Sequence, residues 1–182
     1  MKKLVVMLCL GSALIAGCND PKEANEKNFR AALNEYLAKH PACIGGYTFP
    51  SSNMFRKEEF KALESAGLVT LVGKGKYGES TYDITNEGKK YFEKAEGDKY
   101  GRLCYAKVQV GEIKNFTQPG AMMGMTISEV AFTYKLDNIA PWGKNEDIQQ
   151  SFLNVKKEME GDQKDVRKKA LVLTNKGWSV DL

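Results

Sequence analysis

Few side chains in this sequence have the types and spacing that chemistry needs. The chain holds one histidine, His40, which stands directly before Pro41 and three residues before Cys43. A cysteine or serine nucleophile needs a base within hydrogen-bond reach and a third group to orient that base. No such set is legible around His40, and no Gly-x-Ser-x-Gly elbow is present. His40 is expected to be a solvated residue at a helix end. The carboxylate pairs Glu58/Glu59 and Glu158/Glu160 fall in charged helical stretches, where solvation is the expected role. No His or Cys cluster has zinc-ligand spacing, and no Asp-x-Asp-x-Asp loop suggests calcium. Met122, Met123 and Met125 are the exception, because closely spaced thioethers favour soft Cu(I). Methionine is also the adaptable filler of cores and contact surfaces. The sequence therefore predicts a non-enzymatic binding protein that needs no cofactor, with Cu(I) or small-ligand binding as the alternative.

The start of the chain says where such a protein works. Lys2 and Lys3 form a basic n-region, Leu4 to Leu10 and Ala13 to Ala16 an apolar one, and Gly17 is small enough for a peptidase cleft. The apolar stretch falls short of the roughly 20 residues that a spanning helix needs. The run Leu14-Ile15-Ala16-Gly17-Cys18 resembles the lipobox of bacterial lipoproteins. That resemblance implies that residues 1–17 are a signal peptide and that Cys18 is lipidated and begins the mature chain. Residues 18–28, polar and charged, then form a tether between the bilayer and the folded body. Each buried acyl carbon contributes about 0.8 kcal/mol, so a lipoprotein's acyl chains hold firmly. In the family, an aspartate directly after the cysteine favours the inner membrane. Asn19 stands there instead, so an outer-membrane anchor facing the periplasm is expected.

The same resemblance narrows the rest. Loss of Lys2 and Lys3, with no acid in the removed segment, takes the formal charge from +4 to +2. A nearly balanced charge in an envelope compartment gives no reason to invoke nucleic acid. Cys9 leaves with the signal peptide and Cys18 takes the lipid, so Cys43 and Cys104 remain, a pair expected to form a disulfide. Closing a loop of about 60 residues, that bond is worth roughly 4 kcal/mol in the chain-entropy model.

The elements that must position these residues read as α+β in two lobes. The first, 29–97, opens with a helix from about Glu23 to Lys39, whose Phe29, Leu33, Tyr36 and Leu37 form one apolar stripe ended by Pro41. Ser51, Ser52 or Asn53 is expected to cap a second helix through Phe55, Phe60 and Leu63, ending near Gly67. Leu68 to Val72 and Ser80 to Ile84 flank a Gly- and Lys-rich loop and predict a hairpin. Thr85 then caps a short helix through Lys89, Tyr91 and Phe92. This order, over roughly residues 55–95, resembles the latter part of winged-helix domains. The resemblance implies a DNA-contacting wing at Lys74 and Lys76, which the compartment excludes.

The second lobe, 98–182, is expected to be an antiparallel sheet with one packed helix. Leu103 to Val110 and Val130 to Asp137 alternate as half-buried strands. Asn145 caps a helix whose Ile148, Phe152, Val155 and Met159 share a face, and Gly161 closes it. Lys169 to Thr174, a turn at Asn175-Lys176-Gly177, and Trp178 to Leu182 make a final hairpin. Between these elements, Phe116, Met122, Met123 and Met125, joined by Trp142, form a candidate interaction surface of aromatic and methionine side chains. The expected partner is another envelope protein, with the membrane engaged through the lipid.

Overall fold

A computed structural model describes residues 20–181, so the expected signal peptide and the Cys18 lipidation site lie outside the described residues. Helix α1 spans Glu26–Ala38. Asn25 starts it as a side-chain cap, its Oδ1 accepting from the Asn28 N–H at 2.9 Å, and Phe29, Ala32, Leu33 and Leu37 form its buried stripe. Strand β1 (Ala42–Tyr47) follows at once, and short β2 (Ser51–Ser52) precedes α2 (Lys57–Ser65). The helix expected from residues 51–53 therefore starts later. Ser51 and Ser52 pair with Tyr82 and Thr81 instead. Asn53 clips the same neighbour, its N–H donating to the Ser80 carbonyl and its Oδ1 accepting from the Ser80 N–H. Helix α2 ends at Gly67, whose φ of 74° suits a residue without a Cβ.

The hairpin of β3 (Val69–Lys74) and β4 (Ser80–Ile84) forms as expected. Thr85 caps α3 (Asn86–Lys89) by accepting from the Gly88 N–H. Gly88 is required there, since a Cβ would sit 2.1 Å from the Leu68 carbonyl oxygen. Phe92 lies beyond that helix in the two-residue strand β5 (Phe92–Glu93).

The remaining strands are β6 (Gly101–Phe116), β7 (Gly120–Met122), β8 (Met125–Asp137), β9 (Val166–Thr174) and β10 (Gly177–Ser179). They make one curled antiparallel sheet, in the order β1-β6-β8-β9-β10, with β5 on β6 and β7 on β8. The fold is α+β. The boundary expected at residue 97 is crossed by this sheet, since β1 before it pairs with β6 after it and α1 packs on β6 and β10. Residues Ala42–Tyr47 pair with the first third of β6. Where β1 stops, α1 takes over the free edge of β6: Asn34 Oδ1 accepts from the Val110 N–H, and Arg30 donates to the Val110 and Gly111 carbonyls. A single hydrophobic cluster runs from Phe29 through Tyr47, Phe60 and Leu103 to Trp178.

After a 3₁₀ turn at Pro141–Lys144, the helix expected from Asn145 to Gly161 is split into α4 (Glu146–Ser151) and α5 (Leu153–Glu160). Phe152 leaves helical geometry at φ −121° and ψ 84° while its ring stays buried. The break redirects α5 so that Glu158 meets Tyr105 of β6 and Arg167 of β9.

The two ends of β6 are chemically different. At 16 residues, with a rise of about 3.3 Å each, it runs roughly 50 Å. Its start carries β1, β5 and, through Phe60 packed edge-on to Tyr47, the small sheet β2-β4-β3. At its finish, Phe116 packs on Phe29, which also meets Trp178. There the chain entering α1 is held down: the Trp178 Nε1–H donates to the Lys22 and Glu23 carbonyls, and Asn28 Nδ2 to the Asp20 and Glu23 carbonyls.

Candidate functional site

The residues that looked most reactive turn out to be structural. His40 is exposed, stacks on Tyr36 at 3.9 Å and donates from Nδ1 to the Tyr36 carbonyl. Cys43 and Cys104 are register partners in β1 and β6 and are joined as a disulfide. Glu93 lies beside them, its carboxylate oxygen within 4.8 Å of both sulfurs. Sulfurs bonded to each other offer no thiolate, so this trio does not make a metal centre.

The carboxylates are engaged too. Glu59 pairs with Arg56 at 2.5 Å, and Arg56 in turn donates to the Tyr47 hydroxyl and lies over its ring. Glu158, expected to be solvated, turns inward instead. It accepts from the Tyr105 hydroxyl at 2.5 Å and pairs with Arg167, whose guanidinium stacks on Tyr134. Burial pushes the phenols of Tyr47, Tyr105 and Tyr134 up, and for Tyr105 the Glu158 carboxylate adds to it. These phenols are neutral struts that clamp α2 and α5 to the sheet.

An open cleft of about 540 Å³ is walled by Gly45, Glu93, Asp98, Tyr100 and Arg102. Within it Arg102 is paired with Glu93 at 3.1 Å.

The expected aromatic and methionine surface separates into three places. Trp142 is buried, 5% exposed, edge-on to Tyr91 and Tyr105, because the 3₁₀ turn folds its ring under the sheet. Its Nε1–H finds no acceptor among the described residues. Phe116 is half-buried against Phe29. The methionines stand apart, at the β7–β8 turn at one end of the sheet: Met122 pairs with Met125 across a turn of Met123 and Gly124. Met123 is 93% exposed, so nothing packs on it to fix its thioether as a ligand.

The largest apolar exposure at the other end of the molecule was not anticipated. Phe55, placed in the sequence reading on a helix face, stands free at 92% exposure beside exposed Met54. In the adjoining small sheet β3 is the edge strand opposite β2, paired among the described residues only with β4, and Thr70, Leu71, Val72, Gly73 and Lys74 are all exposed. Tyr77, at the hairpin turn, is exposed as well. The signal was present in the unbroken run Leu68-Val69-Thr70-Leu71-Val72, which lacks the alternation of a half-buried strand. An unpaired strand edge bearing apolar side chains can accept an extended segment of another chain as a further strand.

Comparison of the chain with protein-family models, with curated proteins and with solved structures gives no match.

Proposed function

We propose that this chain is a lipid-anchored envelope protein without catalytic activity, and that its work is to bind another envelope protein. The lipobox-like run ending at Cys18 supports the anchor, with the outer membrane as its place and the body in the periplasm. The observation that carries the binding role is the open edge of β3, with Leu71 and Val72 exposed and Tyr77 exposed at the turn that leads to β4. This sheet joins the body at the start of β6, the end opposite the residues that lead to Cys18. The partner it fits is an extended peptide segment, taken up by backbone hydrogen bonds with apolar side chains setting the register. Lys74 and Lys76 beside the edge discourage two copies from pairing with each other.

A photo-crosslinking amino acid placed at Val72 of the full chain, in intact cells, tests this. A discrete adduct is expected at Val72 and none at Lys135, which is exposed on another strand. Replacing Leu71 with lysine should weaken the adduct about tenfold, the scale of one interface anchor. Equal crosslinking at Val72 and Lys135 would remove the binding role of this edge.

A further inference from the structure

The methionine hairpin has no place in that binding role, yet its position is informative. Strand register locates it. Gly120, Ile127, Val172 and Ser179 form one row across β7, β8, β9 and β10. Two residues further along, the Met122/Met125 pair is level with Thr174 and Gly177, which themselves pair. Gly177 in turn lies against Pro21, whose carbonyl oxygen would be 2.8 Å from a Cβ there. The methionine tip and the chain leading to Cys18 therefore leave the body at the same end. They are separated by the two strand spacings from β8 to β10, about 10 Å, and the contact with Pro21. The path is short as well as co-located, since from Asp20 back to Cys18 the backbone extends at most about 7 Å.

The chemistry of the tip suits what lies at that end. No charged residue occurs between Lys114 and Glu129, an unusual gap in a chain with 27% charged residues. Met122 and Met123 are 59% and 93% exposed. Met123 and Gly124 both have positive φ, at 51° and 77°, the geometry of a two-residue hairpin turn that favours Asn-Gly. A methionine pays a conformational cost there, and among the described residues no packing offsets it, so the apolar side chain is kept where a polar one fits more easily.

Resting on the lipoprotein reading, we infer that the Met122–Met125 tip is a second membrane contact, dipping into the lipid interface beside the acylated Cys18. Two contacts at one end fix the orientation of the body, where a lipid on a short tether alone would let it roll. They also hold the β3 edge away from the bilayer, facing the periplasm. The occupant is the acyl–headgroup boundary itself. Lys22 and Lys176 are offset by Asp20 and Glu23 at the same end, so the contact is apolar and does not require anionic lipid.

The test uses the lipidated protein in phosphatidylcholine vesicles. In it Met123→Cys supplies a single free thiol for an environment-sensitive fluorophore, with Tyr77→Cys on the β3–β4 turn as the matched control. The position 123 probe should shift to shorter wavelength and be quenched by lipids with nitroxide-labelled acyl chains. The position 77 probe should behave as in water, which also controls for the dye's own affinity for lipid. The mass of the Cys18 peptide is read from the same preparation. If Cys18 is acylated and the two probes behave alike, the inference falls and the lipoprotein reading stands. If Cys18 carries no acyl chain, both fall.

Discussion

Converting Cys43 and Cys104 together to alanine is expected to lower the stability of the folded body by about 4 kcal/mol. The bond joins residues 61 apart, and freeing a loop of that length restores roughly that much chain entropy to the unfolded state. Local structure adds to the dependence. Strand β1 has register shifts at Ala42/Cys43 and at Gly45/Tyr47, and two of its six residues are glycine. It is a weak edge strand held to β6 by the covalent bond between register partners. Denaturant unfolding of the oxidised protein against the double variant measures the loss, and chemical reduction of the wild type should reproduce it. A difference below about 1 kcal/mol would show that the pairing of β1 with β6 does not depend on the bond.

Phe29→Ala should cost about 3–5 kcal/mol, the range for truncating a fully buried aromatic. Phe29 is 0% exposed and stands between Phe116 of β6 and Trp178 of β10, with ring centroids 4.9 Å away on each side. Its removal opens a cavity where α1 seats on the sheet and takes away both edge-to-face contacts. For a domain of this size the midpoint of thermal unfolding should fall by roughly 10 °C. Phe29→Leu keeps most of the volume and should lose less than half as much. If the alanine and leucine variants melt together, the site collapses around the gap and the cluster is not the hinge pin of this end.

How much of this was legible in the sequence depends on whether local chemistry or long-range pairing decides an element. The α1 stripe, the Thr85 and Asn145 caps and the β3–β4 and β9–β10 hairpins follow from periodicity and turn residues, and all form. The disulfide followed from counting cysteines. What stayed hidden was set at a distance. Ala42–Tyr47 contains Gly45-Gly46 and shows no alternation, so only its pairing with β6 makes it a strand. Because it joins that sheet, the sheet takes strands from both sides of residue 97. Gly120–Met122 is too short to read as a strand and exists because β8 runs past the last residue of β6, leaving an edge that Gly120–Met122 pairs with. The break at Phe152 leaves Ile148, Phe152 and Val155 all buried, so the hydrophobic pattern is the same whether the helix bends or not. For the same reason the sequence identified apolar residues correctly but not their fate: Trp142 is inside, while Phe55 is outside.

The central claim, that this is a membrane-anchored binding protein of the envelope, is tested most directly at Cys18. Cells producing the full chain are fed a clickable fatty-acid analogue, and the purified wild type and Cys18→Ala proteins are compared by gel and by mass spectrometry. The account predicts label on the wild type, confined to a peptide that begins at Cys18, and none on Cys18→Ala, which remains unprocessed or is released from the membrane. An unlabelled wild-type chain, cut at another position or not at all, would contradict it.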